Sequence, residues 1–255
     1  MSEINNIEIY NQRMAAGMED KLWWLRKIDN GIKVVVDYGC ADGTLLSLIH
    51  YSHPDLILIG VDNNVEMLKL ARRNVPIAIL YTAEEFKYIR LNFGNAVLVL
   101  SSVIHEIFAY DKDPASTMNM LFGKGFKYIA IRDMMITTLG SDPTSDRSDT
   151  INVSSKANQK MLHEFERIYG NIQNRKNLIH FLLKYKYVEN WDREVRENYL
   201  PYNLENFLQD IVPNTYQIEH LDHYTLPYLK KIVKEDFGID LQDKTHLKLL
   251  LTKAE

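Results

Sequence analysis

The sequence lacks the features that would place it outside the ordinary globular proteins. Its single cysteine, Cys40, excludes an intrachain disulfide framework and a multi-cysteine zinc site. No apolar run approaches the ~20 residues that a membrane span needs. Residues 1–14 are polar and mixed in charge, unlike a secretory signal peptide. We therefore predict a cytoplasmic protein with no membrane partner and no metal site.

An excess of positive charge is also missing. The chain carries 30 basic and 34 acidic residues, for a formal net charge of −4, so no global attraction to phosphate backbones exists. Residues 184–196 alternate basic and aromatic side chains, but three acidic residues dilute them, and we interpret this stretch as a solvated helix face. The charge balance favours a small molecule or a protein as partner over a nucleic acid such as tRNA.

What the sequence does contain, between residues 31 and 135, is a regular alternation of strand and helix patterns. Continuous runs of Val, Ile and Leu with helices between them are typical of a parallel sheet covered on both faces. We predict an α/β fold with five strands in this region, at 33–39, 56–62, 77–82, 95–102 and 126–133.

The flanking regions have other patterns. Helical spacing of apolar residues predicts an N-terminal helix from about residue 5 to residue 30, in which Trp23 and Trp24 pack. Residues 138–155 are rich in Ser, Thr, Asp and Gly and predict a loop. The predicted divisions of the single domain 1–255 are an N-terminal helical segment 1–30, a core 31–135, a loop and helical cap 136–202, and a C-terminal part 203–255 with a helix capped by Asn203 and two strands.

The turn after the first strand, residues 37–43 with the sequence DYGCADG, is the most informative stretch. Gly39 and Gly43 let the backbone approach a ligand, and N–H groups at a helix start favour acceptor or negative groups. Asp62 ends the second strand about twenty residues later, where a carboxylate can accept hydrogen bonds from both ribose hydroxyls. The nicotinamide fingerprint would need glycine at Ala41 and Thr44, which disfavours a nicotinamide oxidoreductase.

This arrangement resembles the class I S-adenosylmethionine-dependent methyltransferases, whose first motif is acid-x-Gly-x-Gly/Ala-x-Gly. The resemblance covers roughly Lys33 to Asp133. It implies a seven-stranded, mostly parallel, Rossmann-like sheet with an N-terminal helix and a helical insertion between strands 5 and 6, the last two strands forming an antiparallel hairpin. It also implies S-adenosyl-L-methionine as cofactor and S-adenosyl-L-homocysteine as product.

The resemblance assigns cofactor contacts residue by residue. Asp62 matches the ribose-binding acid, and residues 82–86 are similar to the loop beside the adenine. Arg13, next to Tyr10 in the N-terminal helix, offers a bidentate fork for the cofactor carboxylate. The expected cofactor-binding residues are Asp37, Gly39, Cys40, Ala41, Gly43, Asp62, Asn63, Met67, Ala83, Glu84, Ser101 and Arg13.

Candidates for catalysis lie where the fourth and fifth strands end. His105 is the candidate general base, because an imidazole with a pKa of ~6.5 is largely neutral near pH 7. Asp133 could orient an acceptor amine or hydroxyl; a structural role in capping or holding a loop is the alternative for both residues. Glu106, Tyr199 and Tyr202 are candidates for acceptor binding. Elsewhere, His220 and His223 should point to opposite faces of a strand and not form a metal pair.

The sequence thus predicts an enzyme that moves a methyl group by in-line displacement to an unidentified acceptor, either a small molecule, a protein or tRNA. The alternatives are a non-catalytic binding module or partner subunit with this fold and, less favoured, the oxidoreductase. The expected assembly is a monomer or a homodimer.

Overall fold

Seven strands form a single sheet in the order β3-β2-β1-β4-β5-β7-β6. The computed structural model describes residues 18–137 and 144–254. The strands are β1 Val34–Tyr38, β2 Ile57–Val61, β3 Ile79–Tyr81, β4 Ala96–Ser101, β5 Tyr128–Met134, β6 Tyr216–Tyr224 and β7 His246–Lys253.

Most neighbouring strands in the sheet are parallel. The pairs β1–β2, β2–β3, β1–β4 and β4–β5 are parallel, whereas β7 runs antiparallel to both β5 and β6. The predicted mostly parallel sheet with an antiparallel pair at its end is confirmed. The strand order reverses between β1 and β4, and ligands of open α/β sheets bind at the carboxyl edge beside such a point.

Helices connect the strands and build the cap. They are α1 Met18–Lys21, α2 Thr44–Ser52, α3 Val65–Asn74, α4 Ala83–Tyr88, α5 Ile104–Tyr110, α6 Pro114–Gly123, α7 Arg147–Lys156, α8 Gln159–Tyr169, α9 Arg175–Tyr185, α10 Trp191–Glu194, α11 Leu204–Asp210 and α12 Pro227–Phe237. In the described ranges, no helix has both the length and the apolarity needed to cross a membrane.

The two faces of the sheet bury separate apolar clusters. One face, with Val36, Leu98 and Ile131, packs against α4 to α6 and α11. The other face packs against α2 and the N-terminal segment around Trp24. Such two-sided burial explains why the strands read as continuous apolar runs and not as alternating ones.

Within the described residues, the predicted N-terminal helix is confirmed at Met18–Lys21 and wrong from residue 22 to residue 30. It ends at Lys21, and a short 3-10 turn, Trp23–Arg26, replaces its continuation to residue 30. The Trp24 side chain is 1% exposed and packs into the core beside β1. This tertiary burial overrides the local helical spacing. Tyr10 and Arg13 lie outside the described residues.

The cap between β5 and β6 is helical, as predicted, but it begins earlier than residue 156. The predicted loop 138–155 is wrong for its second half, which is α7. The Asp146 side chain caps this helix by accepting a hydrogen bond from the Ser148 amide, and Val153 is fully buried. A polar composition hid the helix, because Ser, Thr and Asp have low intrinsic helix propensity.

The cap has its own apolar core, which joins it to the sheet. Buried residues of α8 and α9, such as Phe165 and Phe181, form one cluster with Met134 at the end of β5 and with Leu229 of α12. At the start of α11, Asn203 accepts a hydrogen bond from the Asn206 amide, as predicted. The packing therefore holds the cap over the carboxyl edge of the sheet.

Candidate active site

A cavity lies at the carboxyl edge of the sheet, under the cap. Three regions supply most of its lining: residues 37–45, hereafter the cofactor turn; the ends of β4 and β5 with the start of α5; and residues 184–199, hereafter the cap segment. The short helix α1 closes one side with Met18 and Lys21. The cavity thus combines residues that are far apart in sequence.

The cofactor turn has a backbone that requires glycine. Gly39 and Gly43 have φ angles of 85° and 77°, in the left-handed region. A Cβ on Gly39 would lie 2.5 Å from Val103 Cγ2, and one on Gly43 would lie 3.0 Å from Ala71 Cβ. Ala41 shares this conformation with a φ of 46°. Both glycines are therefore fixed by conformation and by close packing.

Fewer amides of this turn point to a ligand than the sequence suggested. The N–H groups of Gly39 and Cys40 donate to the Val61 carbonyl, at 2.7 and 3.0 Å. The Gly43 amide donates to the Cys40 carbonyl. Within residues 18–137 and 144–254, the Asp42 amide has no acceptor, so it is an amide of the turn that can serve a ligand.

Asp62 is joined directly to the cofactor turn. Its Oδ2 accepts a hydrogen bond from the Ala41 amide at 2.9 Å, and its Oδ1 accepts one from the Asn64 amide at 2.7 Å. Each carboxylate oxygen keeps a lone pair for another donor. The half-buried carboxylate lines the cavity and is oriented for further hydrogen bonds.

Asp37 and Lys21 are buried charged groups beside the turn, at 3% and 8% exposure. Burial raises the pKa of Asp37 to about 7, while the positive charge of Lys21 opposes this rise. Burial also lowers the pKa of Lys21 to about 8. In the described ranges Lys21 makes no hydrogen bond or ion pair, which leaves its ammonium available to an anionic ligand.

At the end of β4, the Ser101 hydroxyl is buried and has no hydrogen-bond partner in the described part of the chain. Ser102 has a left-handed φ of 59°, and its Oγ accepts a hydrogen bond from Arg132 at 2.9 Å. Arg132 also donates to Asp20 at 2.8 Å. This contact anchors α1 on the sheet and so positions Lys21.

His105 and Asp133 form a buried pair. His105 Nδ1 lies 2.7 Å from Asp133 Oδ1, and Asp133 Oδ2 accepts a hydrogen bond from the Ile104 amide at 2.7 Å. The Asp133 carboxylate thereby also caps α5, a helix that the sequence reading missed. Burial opposes the imidazolium, but the charge of Asp133 and the hydrogen bond to it outweigh this and raise the pKa of His105.

A second polar group lies beside His105. Arg193 approaches Glu106 Oε1 at 3.4 Å and donates to Glu197 Oε1 at 3.0 Å. The Tyr110 hydroxyl donates to the same Glu197 oxygen at 2.8 Å. Glu197 is 2% exposed. Its contacts with Arg193 and Tyr110 join the cap segment to α5.

A buried lysine organises the cap segment. Lys184, fully buried, donates from Nζ to the Glu194 carbonyl at 2.6 Å and to the Glu197 carbonyl. Its ammonium also lies 3.8 Å from the centre of the Tyr199 ring. The Tyr199 hydroxyl donates to the Glu194 carboxylate. Burial lowers the pKa of Lys184 to about 7 and raises the pKa of Glu194 to about 7.

The predicted site residues divide into two groups. Gly43 belongs to the cofactor turn but does not line the cavity. The Tyr202 ring packs on Phe108 with ring centres 4.8 Å apart, and Glu84 is exposed on α4, where it pairs with Lys87. Asp133 contacts Nδ1 of His105 and does not itself line the cavity. The residues that line the cavity are Asp37, Gly39, Cys40, Ala41, Asp62, Ser101, His105, Glu106 and Tyr199; those that do not are Gly43, Asn63, Met67, Ala83, Glu84, Asp133 and Tyr202.

Several polar residues at the cavity were absent from the predicted site. Lys21, Arg132, Lys184, Arg193 and Glu197 all line or support the cavity, and their spacing in the sequence contains no signal for this. His223 is buried against the Met135 carbonyl, whereas His220 stacks near Trp23, so these two histidines are separate. Cys40 is buried in the apolar cluster around β1, and burial raises the pKa of its thiol.

Sequence comparison gives limited matches. No family model matches the chain. A carboxy-S-adenosyl-L-methionine synthase of Campylobacter hominis is 44% identical over 39 residues, which are 15% of this chain and 17% of the synthase. The matched stretch thus spans about a sixth of that relative's length.

Structure comparison matches nearly the whole chain. The plantazolicin methyltransferase BamL, solved with a triazolic desmethylPZN analogue and S-adenosylhomocysteine, is 12% identical with a TM-score of 0.51, and the match covers 96% of this chain and 88% of that chain. A methyltransferase from Anabaena variabilis, 13% identical, has a TM-score of 0.52 and coverages of 92% and 83%. An O-methyltransferase from Planctomyces limnophilus, solved with apigenin, is 11% identical with a TM-score of 0.53 and coverages of 98% and 62%. The strand order and these matches show that the chain has the fold of the class I S-adenosylmethionine-dependent methyltransferases.

Proposed function

We propose that the protein is an S-adenosylmethionine-dependent methyltransferase. The observation that carries the proposal is the hydrogen bond from the Ala41 amide to Asp62, which joins a glycine-dependent turn and a ribose-type carboxylate at one edge of the sheet. The structural neighbour that contains S-adenosylhomocysteine supports the same cofactor.

Each charged part of the cofactor has a counterpart in the cavity. Asp62 would accept hydrogen bonds from the ribose hydroxyls with its remaining lone pairs. The Asp42 amide and the Lys21 ammonium would hold the carboxylate, in the role that the sequence suggested for Arg13. Asp37 would attract the cationic amino group and the sulfonium. The cofactor itself supplies a carbon activated by the sulfonium.

At the acceptor end, the protein needs to align a nucleophile and to accept its proton where it carries one. His105 is suited to the second task, since Asp133 engages Nδ1 and leaves Nε2 for the acceptor. Tyr199 and Glu106 line the same part of the cavity and would contact the acceptor. Asp133 acts through His105, as a positioning residue.

The neighbours solved with apigenin and with a plantazolicin analogue favour a small-molecule acceptor. A protein or tRNA acceptor, a monomeric or homodimeric state and a cytoplasmic location stay predictions.

Calorimetric titration of the purified protein with S-adenosylhomocysteine tests the cofactor assignment, with NAD and NADP as controls. We expect micromolar binding of the sulfur compound only. Asp62→Ala should weaken this binding by at least ~1.5 kcal/mol, or about tenfold, the scale of hydrogen bonds to a charged group. Asp55→Ala, an exposed acid before β2, is the matched control and should bind normally. Unchanged affinity in Asp62→Ala would refute the ribose assignment, and no binding at all would favour a non-catalytic module.

A further inference from the structure

Beyond the cofactor site, His105 has the surroundings of a metal-binding histidine. Metal-bound histidines usually donate their other ring N–H to a carboxylate, which fixes the tautomer and the ring orientation. Here Asp133 engages Nδ1 at 2.7 Å and is itself held by backbone amides. His105 is 5% exposed and lines the cavity, yet in the described ranges Nε2 has no hydrogen-bond partner. One nitrogen of a largely buried imidazole thus remains uncommitted at the cavity.

Two carboxylates complete a compact set of donors around this ring. One ring nitrogen of His105 and one oxygen each of Glu106 and Glu197 lie within 4.8 Å of one another. Bonds of about 2.1 Å to one ion put its ligand atoms roughly 3 to 3.5 Å apart. Adjustments on the order of 1 Å by these side chains would therefore close the set. All three residues line the acceptor end of the cavity.

We propose that His105, Glu106 and Glu197 bind one divalent transition-metal ion at the acceptor end of the cavity. A set of one imidazole nitrogen and two carboxylate oxygens suits Mn²⁺ or Zn²⁺. The sequence contained no signal for this site, because Glu197 is more than ninety residues away from the other two ligands. Only the contact between the cap segment and α5 brings the three together.

Arg193 is an internal competitor for the same carboxylates. Its guanidinium lies 3.4 Å from Glu106 and 3.0 Å from Glu197 and so balances their charge in the metal-free protein. Binding of the ion requires Arg193 to turn away from this position. The proposal thus makes opposite predictions for neighbouring side chains: loss of a carboxylate weakens metal binding, and loss of the guanidinium strengthens it.

The chemical role of this metal site rests on the proposed methyltransferase function. It specifies the acceptor of the methyl group as an oxygen nucleophile. An ion on these ligands would coordinate the acceptor hydroxyl and lower its pKa, so its proton leaves to solvent. The oxygen then forms a bond to the methyl carbon as the carbon–sulfur bond breaks, and sulfur keeps the electron pair. In the metal-loaded protein this ionisation replaces proton acceptance by His105.

Electron paramagnetic resonance of Mn²⁺ tests the site without any acceptor. The full chain is treated with a chelator and dialysed, and Mn²⁺ alone is titrated in. We expect one ion per chain. Glu106→Gln and Glu197→Gln should each weaken binding at least about tenfold, and Asp133→Asn by about 10- to 100-fold through the orientation of His105. Arg193→Gln should bind Mn²⁺ more tightly than the unmodified chain. Glu235→Gln, on the exposed side of α12, should behave as the unmodified chain.

Two results would overturn the proposal. One is no binding of Mn²⁺ at millimolar concentration, together with no Zn²⁺ binding by calorimetry. The other is binding that Glu106→Gln and Glu197→Gln leave unchanged, provided that both variants still bind S-adenosylhomocysteine and are therefore folded. Cofactor binding without metal binding would remove this site only. Metal binding without cofactor binding would contradict the proposed methyltransferase function and leave the metal site standing.

Discussion

The cofactor turn and the cap segment line the same cavity but are held in place by different forces. In the cofactor turn, left-handed glycines and hydrogen bonds between backbone groups fix the chain. In the cap segment, buried charges fix it, chiefly the ammonium of Lys184 on two carbonyl groups. One cavity therefore combines a half set by backbone conformation with a half set by long-range side-chain contacts.

This difference has consequences for recognition. A site built from backbone conformation presents the same groups whatever the surrounding side chains are, which suits an invariant ligand such as a cofactor. The cap segment depends on the Lys184, Glu194 and Glu197 side chains, so substitutions there would change the acceptor end alone. We expect changes in the turn to affect cofactor binding, and changes in the cap segment to leave it intact.

We expect the largest loss of stability from Gly43→Ala, which disrupts the backbone conformation of the cofactor turn. The alanine would have to adopt a left-handed φ of 77°, and its Cβ would lie 3.0 Å from Ala71 Cβ. Backbone strain and overpacking would therefore both destabilise the variant. We expect the free energy of unfolding to fall by about 2–4 kcal/mol, measured by urea denaturation. Gly123→Ala is the matched control, because a Cβ there meets no atom within 4 Å. Equal effects of the two variants would contradict the packing argument.

Lys184→Met tests the half that depends on side chains. It keeps most of the length of the side chain but leaves the carbonyl groups of Glu194 and Glu197 without their donor. Buried unpaired groups of this kind cost ~1–3 kcal/mol, so we expect a loss of about 2 kcal/mol. Hydrogen exchange should accelerate in residues 191–200 and stay slow in β1 and β4. The control Lys69→Met removes an exposed ammonium paired with Glu66. Weakened binding of S-adenosylhomocysteine to Lys184→Met would contradict the expectation that changes in the cap segment leave cofactor binding intact.

Asp133→Asn tests the pair that lies where the two halves meet. Without the negative charge of Asp133, burial opposes the imidazolium against the charges of Glu106 and Glu197 alone, so the raised pKa of His105 should decrease. We expect the direction of the change, a lower His105 pKa in the variant than in the unmodified chain, because an opposite charge next to the imidazole favours its charged form. An NMR titration of the imidazole signals measures it, with His53, exposed at the end of α2, as the internal reference. A constant His105 pKa would contradict the charge argument.

Glu194→Gln should have the smallest effect, a change in pH dependence. Burial raises the pKa of Glu194 from 4.5 to about 7. Between these values the folded state binds more protons than the unfolded state, so the contribution of Glu194 to stability falls as pH rises. The stability of the unmodified chain relative to Glu194→Gln should therefore decrease from pH 5 to pH 8, by on the order of 1 kcal/mol. Urea denaturation at both pH values measures it, and an increase would give the wrong sign.

Much of the fold was predictable because its signals are local. All seven strands were predicted from apolar runs, and most of the helices between them from spacing and caps, whereas α5 was missed. The errors have a shared cause: the helix continued to residue 30 and the loop assigned to α7 both depend on distant packing, of Trp24 and Val153. In the candidate site, the cofactor turn and Asp62 were predicted at the carboxyl edge of the sheet, where the structure has them. The contact of His105 with Asp133 was not predicted.

Residues close together in the chain specify the order of strands and helices, the glycine turn and the acid that ends β2, so these features are readable from sequence. Which side chains share the cavity depends on the packing of distant elements. This packing brought Lys21 to the turn, Asp133 to His105 and Glu197 to Glu106. The reason is physical: a buried charge is tolerated only where distant elements supply its partners or where a ligand does.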